Sequence, residues 1–255
     1  PYRSTNDDLL ELWNKVRNIK DDISEHIQRN EYSINLDESI FENHKDDEII
    51  LCLNYDGLYG INNINKFLQV NNSNEPIEWG SLIYKINDPI LFSETKRFGD
   101  SIYNNLKGKI IDIKVLDKQI EFDIEIDKVL NSLSTQWYDF ELVGGDSNKS
   151  IIRFTVNQFP TTDEDDDSSE AIIPFQVAYA VSIHKAQGLE YSSVKIVITD
   201  EVEEQITHNI FYTAITRAKE DLKIYWSPET ENKILHGLKQ RNNKKDVGLL
   251  KGMIK

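Results

Sequence analysis

The sequence predicts an α/β protein, a parallel sheet covered by helices and interrupted by a small all-β insertion. Apolar residues recur at helical spacing near the N-terminus, and strand-like and helix-like runs alternate again after about residue 170. Between Trp79-Gly80 and about Phe159 the apolar period instead falls towards two. Alternation of strand and helix implies a parallel sheet buried on both faces. Short strands joined by tight turns imply a barrel or sandwich.

Each element has a local reason. Ser4-Thr5-Asn6 followed by Asp7-Asp8 is a helix start, with capping residues and then acids at the positive end of the dipole. Leu9, Trp13, Val16, Ile19, Ile23 and Ile27 then continue at helical spacing. Glu48 to Asn54 is a short apolar strand, Asp56-Gly57 a turn, and Ile61 to Val70 a helix. In the period-two region the strands are Ser81–Tyr84, Lys109–Ile113, Ile120–Ile124 and Ile151–Val156. Leu116-Asp117-Lys118 and Gly144-Gly145-Asp146-Ser147-Asn148 supply turns between them. Tyr179 to Ile183 and Val194 to Thr199 are strands again, Gln205 to Lys219 a helix, Leu222 to Trp226 a strand and Pro228 to Lys239 a helix. The expected organisation is a first part of the α/β domain over 1–77, the β insertion over 78–159, a second part over 160–228, and a C-terminal helix and basic tail over 229–255.

Composition narrows the class. A chain of 255 residues can bury one large core or two moderate ones, and 39% hydrophobic content makes it globular despite a net charge of −15. That acidic balance argues against a simple nucleic-acid-binding module, which carries a basic face. Part of the excess is local, in the run Asp163-Glu164-Asp165-Asp166-Asp167, which reads as a solvated loop in preference to an interaction tail. Lys239, Arg241, Lys244, Lys245, Lys251 and Lys255 make the end basic, equally suited to a frayed tail and to phosphate contacts. No apolar run spans a membrane and no signal peptide is visible. The single cysteine, Cys52, sits in Ile49-Ile50-Leu51-Cys52-Leu53 and reads as a core residue in preference to a nucleophile. With no disulfide framework and no metal-ligand spacing, a cytoplasmic protein is expected.

Two octets carry the chemistry: His184-Lys185-Ala186-Gln187-Gly188-Leu189-Glu190-Tyr191, and then Tyr212-Thr213-Ala214-Ile215-Thr216-Arg217-Ala218-Lys219. In this order, each beside a strand-like run, they resemble motifs V and VI of superfamily 1 helicases of the UvrD/RecD type. The resemblance implies a second RecA-like motor domain of an ATP-dependent DNA helicase. It assigns Arg217 as an arginine offered to the γ-phosphate across the domain interface. An always-charged planar guanidinium suits that role, because phosphoryl transfer spreads negative charge over the phosphate oxygens. Pro1-Tyr2-Arg3-Ser4-Thr5 resembles the Asn-Tyr-Arg-Ser-Thr element of the same family, with Pro in place of Asn. By that match Tyr2 packs on adenine and Arg3 meets the γ-phosphate. Gln187 matches a polar position at the cleft, Glu190 the ribose contact, and Gly188 a place where backbone approaches a ligand. Ser182, His184 and Lys185 fall where the family meets single-stranded DNA, with RNA left open. Residues 48–68 resemble the motif IV region, and Trp79-Gly80 to Ile113 an SH3-like insertion.

What such a motor also needs is not in these residues. A phosphate-cradling G-x-x-x-x-G-K-[ST] loop is required, but Gly108-Lys109 is followed by Ile110, with Tyr103 where the first Gly belongs. Ile196-Val197-Ile198-Thr199-Asp200-Glu201 imitates a Mg²⁺-binding strand, yet reads better as a buried parallel strand. The chain starts at Pro1 and its one Met is Met253. A C-terminal fragment is therefore expected, with ATP and Mg²⁺ bound mainly by a first motor domain that lies upstream and partners this one. Alone it should be inactive. The second reading is a non-catalytic interaction or nucleic-acid-binding module that retains the helicase fold.

Overall fold

A computed structural model describes residues 6–42, 47–93, 96–131, 139–158, 171–200 and 206–238. In chain order the elements are α1 (Asp7–Arg17), α2 (Ile23–Arg29), β1 (Ser33–Ile34), β2 (Glu48–Cys52), α3 (Ile61–Asn71), β3 (Ile77–Trp79), β4 (Leu82–Tyr84), β5 (Pro89–Phe92), β6 (Lys107–Val115), β7 (Gln119–Ile126), β8 (Glu141–Gly145), β9 (Ser150–Asn157), β10 (Phe175–Val177), β11 (Ala180–Ser182), β12 (Tyr191–Val197), α4 (His208–Ile215), β13 (Ala218–Tyr225) and α5 (Pro228–Gly237). They fall into two compact units. One takes Pro1–Ile40, His44–Leu53 and Ala186–Lys255, the other Phe41–Asn43 and Asn54–Lys185. Tyr2, Arg3, the acidic run, Glu201 and the basic C-terminal residues from Lys239 lie outside the described residues.

The strands of the first unit run in the order β1, β13, β12, β2, every pairing parallel. Strand β12 is interior, with Val194 opposite Ile49 and Leu222, and Ile196 opposite Leu51 and Ile224. Its near-continuous burial is that of a parallel strand covered on both faces. The segment that imitates a metal-binding strand is thus largely this strand, with Ile196, Val197 and Ile198 buried. Lys195 is buried too, and its Nζ lies 3.1 Å from Glu48, which also accepts from the Ser193 hydroxyl. A charge is kept in such a place only when paired. Cys52 is buried and apolar packing pushes its thiol pKa up to about 12, in agreement with a core role.

Helix α1 begins as expected, the Asn6 side chain accepting from the Asp8 and Leu9 amides. The helical spacing from Leu9 to Ile27 does not make one helix. After Asn18 the chain enters the left-handed region at Ile19, φ +48°. The Ile19 amide then bonds to the Val16 carbonyl and the Lys20 amide to that of Lys15. These two bonds close the C-terminus as a Schellman motif, with isoleucine at the position where glycine usually announces it. Helix α2 restarts the same apolar phase at Ile23, so the period survives the break.

The second unit contains a six-stranded antiparallel sheet in the order β10, β5, β6, β7, β9, β8. Strands β7 and β9 alternate strictly between buried and half-buried residues. The buried face carries Phe92, Phe122, Phe154 and Phe175, and Phe122 and Phe175 meet edge to face at 5.0 Å. On the other face Arg153 makes a bidentate pair with Asp123, its register partner, both bonds 2.7 Å. Two details differ from the expected elements. Gly144 and Gly145 belong to strand β8, the turn coming at Asp146–Lys149, and β10 joins this sheet from beyond the acidic run.

A buried polar knot holds α3 to strand segments of this unit. Asp88 is fully buried and accepts from Gln69, Asn72, the Tyr179 hydroxyl at 2.8 Å and the Lys85 amide at 2.9 Å. Burial, then the facing Asp88, pushes the Tyr179 phenol pKa well above its ordinary value. Asn65 brackets Ala180, donating to its carbonyl and accepting from its amide, both at 2.8 Å. Among the described residues no helix is long and apolar enough to cross a membrane.

Candidate functional site

The second octet spans a junction where the sequence pattern predicts one helix. Thr213, Ala214 and Ile215 close α4, Thr216 and Arg217 form the turn, and Ala218 and Lys219 open β13. The Thr216 amide makes the last ladder bond, to the Tyr212 carbonyl at 3.2 Å, its hydroxyl meets the same carbonyl at 2.8 Å, and the Arg217 amide then turns to the Ala214 carbonyl, which closes the helix. Arg217 follows with its side chain buried. Its Nε donates to the Thr213 carbonyl at 2.9 Å, Nη1 to the Leu189 carbonyl at 2.8 Å and Nη2 to Thr216 Oγ1 at 3.0 Å. The Arg217 carbonyl in turn accepts from the Tyr191 amide at 2.9 Å. One residue therefore ties the two octets together through both side chain and backbone.

The 186–190 loop is shaped by backbone demands. Gly188 has φ +88°, a region that disfavours a Cβ, while a Cβ built there meets nothing within 4 Å. Within this chain the glycine serves conformation, not a close approach. Glu190 faces Lys219 at 3.8 Å, and Gln187 is exposed.

Beside this turn lies a cavity of ≈ 330 Å³. Helix α1 lines it with Leu10, Trp13, Asn14 and Arg17, the i, i+3, i+4, i+7 face of that helix. The α4 end adds Tyr212, Thr213, Thr216 and Arg217, and the loop adds Gln187. Two bonds fasten its walls: Trp13 Nε1 donates to the Ile215 carbonyl at 3.1 Å, and His208 Nε2 lies 2.8 Å from the Val16 carbonyl.

Of the residues expected at the nucleotide, Gln187 and Arg217 share this cavity. Gly188 and Glu190 stand in the same unit but are not among its lining residues. Ser182, His184 and Lys185 belong to the second unit, so the unit boundary falls inside the first octet. Ser182 is buried and accepts from the Lys185 amide, Lys185 Nζ donates to Gln176, and His184 is exposed. The sequence reading missed Trp13, Asn14 and Arg17. Their helical spacing from Leu10 was visible, but what faced them was not.

The donor set fits one edge of a nucleoside polyphosphate. Two guanidiniums, an amide and threonine hydroxyls suit phosphate oxygens, and the Trp13 and Tyr212 rings give the cavity an apolar side. Among the described residues that line it there is no carboxylate, the ligand type that Mg²⁺ prefers.

Residues 177–225, from β10 to the end of β13, match the family model of the UvrD-like helicase C-terminal domain. Over 200 residues, 74% of its length, the chain is 22% identical to the RecBCD enzyme subunit RecD of Buchnera aphidicola subsp. Schizaphis graminum, of which that covers 26%. Over 85 residues, 33% of its length, it is 35% identical to the uncharacterized protein MJ1519 of Methanocaldococcus jannaschii, covering 7% of that protein. Two solved structures share the fold at 14% identity and TM-score 0.52. The Pif1 helicase from Bacteroides in complex with ADP-AlF3 and ssDNA is matched over 98% of this chain and 55% of its own. That from Candida albicans is matched over 97% and 58%. The chain thus spans about a quarter of RecD and little over half of either solved structure. These likenesses agree with the α/β class and the superfamily 1 resemblance read from the two octets.

Proposed function

We propose that this chain is the second motor domain of an ATP-dependent DNA helicase and supplies one wall of its ATP site. The observation that carries the reading is the cavity where Arg217 and Gln187 meet, in a segment that matches a helicase C-terminal domain. ATP supplies the phosphoryl group whose transfer drives such motors, and the phosphate loop and Mg²⁺ ligands would come from a first RecA-like domain. Arg217 would present its guanidinium to the charge that develops on the γ-phosphate. To do so it must give up part of its internal bonding to Thr213, Thr216 and Leu189. Because Leu189 lies next to Glu190, that exchange would loosen the 186–190 loop. Tyr2, Arg3, Gly188 and Glu190 are proposed as further nucleotide contacts on the family match alone. Ser182, His184 and Lys185 are proposed to meet the strand of single-stranded DNA, and residues 78–159 to form an SH3-like insertion.

The test is ATP hydrolysis by the intact protein, with and without single-stranded DNA, beside Arg217→Ala. The reading requires DNA-stimulated turnover that falls by about 10³-fold or more in the variant while the fold is retained. Absent turnover, or turnover indifferent to Arg217, would leave the non-catalytic module as the better account.

A further inference from the structure

We propose that Arg17 of α1 is a further cationic contact for the nucleotide phosphates, in the same cavity as Arg217. The proposal rests on the nucleotide reading of the cavity. Arg17 and Arg217 line the same cavity, but their guanidiniums are in opposite states. Arg217 is buried and three of its nitrogens donate to Thr213, Leu189 and Thr216. Arg17 is exposed, and its side chain takes part in none of the hydrogen bonds or ion pairs found among the described residues. The neighbouring cations of α1 and α2 are occupied differently. Lys15 is paired with Glu11 and Asp22, and Arg29 contacts Glu11 and His26. Arg17 also stands one turn beyond Asn14 and Trp13 on the cavity-facing stripe, so its fork and the Asn14 amide approach a ligand from one side. Among the described residues lining the cavity no carboxylate competes for it.

An uncommitted arginine at the mouth binds phosphate without first breaking internal bonds, whereas Arg217 must be released. Arg17 therefore contributes to ground-state binding and Arg217 to the chemical step. Uniform binding changes KM and leaves kcat, and that split separates Arg17 from a merely structural residue.

The experiment compares Arg17→Gln, Arg17→Lys, Arg217→Ala and the control Lys233→Gln in the intact protein. ATP hydrolysis is followed together with equilibrium binding of ATP, tripolyphosphate and adenosine, and circular dichroism verifies the fold. Arg17→Gln should raise KM for ATP about fivefold to tenfold with kcat within about twofold. It should weaken tripolyphosphate in parallel and leave adenosine unchanged. Arg17→Lys should recover part of the loss, and Lys233→Gln, with the same charge change at an exposed position of α5, should do nothing. If Arg217→Ala abolishes turnover while Arg17→Gln behaves as wild type, the Arg17 proposal is overturned and the nucleotide site stands. If neither variant alters turnover or binding, the site itself is misassigned and the Arg17 proposal falls with it. Equal weakening of adenosine and tripolyphosphate by Arg17→Gln would mean a structural role and would also overturn it.

Discussion

Arg217 does two jobs at the scale of a single residue, and the first can be measured without any ligand. Its guanidinium satisfies the carbonyls of Thr213 and Leu189 inside the protein. Truncation to alanine removes both bonds and leaves the Leu189 carbonyl without this donor, while the Thr213 carbonyl keeps the Thr216 hydroxyl at 3.0 Å, a cost of about 1–2 kcal/mol. Urea unfolding of Arg217→Ala should show that loss. Arg217→Lys should recover little of it, since one ammonium cannot reach three acceptors with the geometry of a planar fork. An Arg217→Ala protein as stable as wild type would mean that the bonds seen here contribute nothing net. Cys52 gives a pH-dependent prediction. Its folded pKa, pushed up to about 12 by burial, lies above the ordinary thiol value of 9.0. The native state therefore disfavours the thiolate. The stability this contributes is whole below pH 9 and is lost as pH climbs from there towards about 12. Thiol-reactive probes should leave Cys52 unmodified in native protein at pH 8 and label it fully in urea. Rapid native labelling would contradict its burial.

Elements in this fold are ended by side chains and turns more than by changes of apolar period. Asn6 both caps α1 and donates to the Glu220 carbonyl at 2.8 Å. Asn6→Ala should cost about 1 kcal/mol, read as a lower urea midpoint with unchanged slope. Two glycines at loop–element junctions should behave differently. A Cβ on Gly60 would stand 2.3 Å from the Asp56 carbonyl oxygen, a backbone atom that cannot swing away, whereas Gly188 has open space and only a strained φ. Gly60→Ala should therefore destabilise by more than Gly188→Ala, the latter by about 1–2 kcal/mol. Thermal melts that rank the two in reverse order would refute this. The break between α1 and α2 belongs at the same scale. A Schellman closure on Ile19 leaves no glycine to read, and the apolar phase continues through it. The end of α4 was hidden for a related reason. Tyr212 to Lys219 is helix-compatible residue by residue, but Thr216 bonds backwards and Ala218 is drawn into pairing beside β12.

On the scale of the whole molecule, two units with separate cores share one chain that passes between them several times. The buried knot at Asp88 belongs to the second unit alone. Asp88→Ala strands the Gln69, Asn72 and Tyr179 donors, each buried or half-buried, at a cost of about 3 kcal/mol or more. Hydrogen exchange followed by mass spectrometry should then accelerate over 61–92 and 175–182, while 191–198 and 218–225 keep their protection. Uniform acceleration across both units would show instead that they unfold as one. The first octet runs across the boundary between the units, so residues that the family match groups together are divided between two bodies of the fold.

Much of this was written in the order of residues. The apolar periods determine that there are parallel strands, an antiparallel insert and helices, because burial of a face is a local, repeating demand. The two octets determine the family resemblance, because their side chains are contiguous. What only the tertiary structure decided is which side chains face one another. Trp13, Asn14 and Arg17 are separated from Arg217 by some two hundred positions and gain meaning only where α1 packs beside the end of α4. The commitment of Arg217 to Leu189 and the freedom of Arg17 are likewise set by folding. Hydrogen-bond partners and cavities depend on distances that no spacing along a chain records.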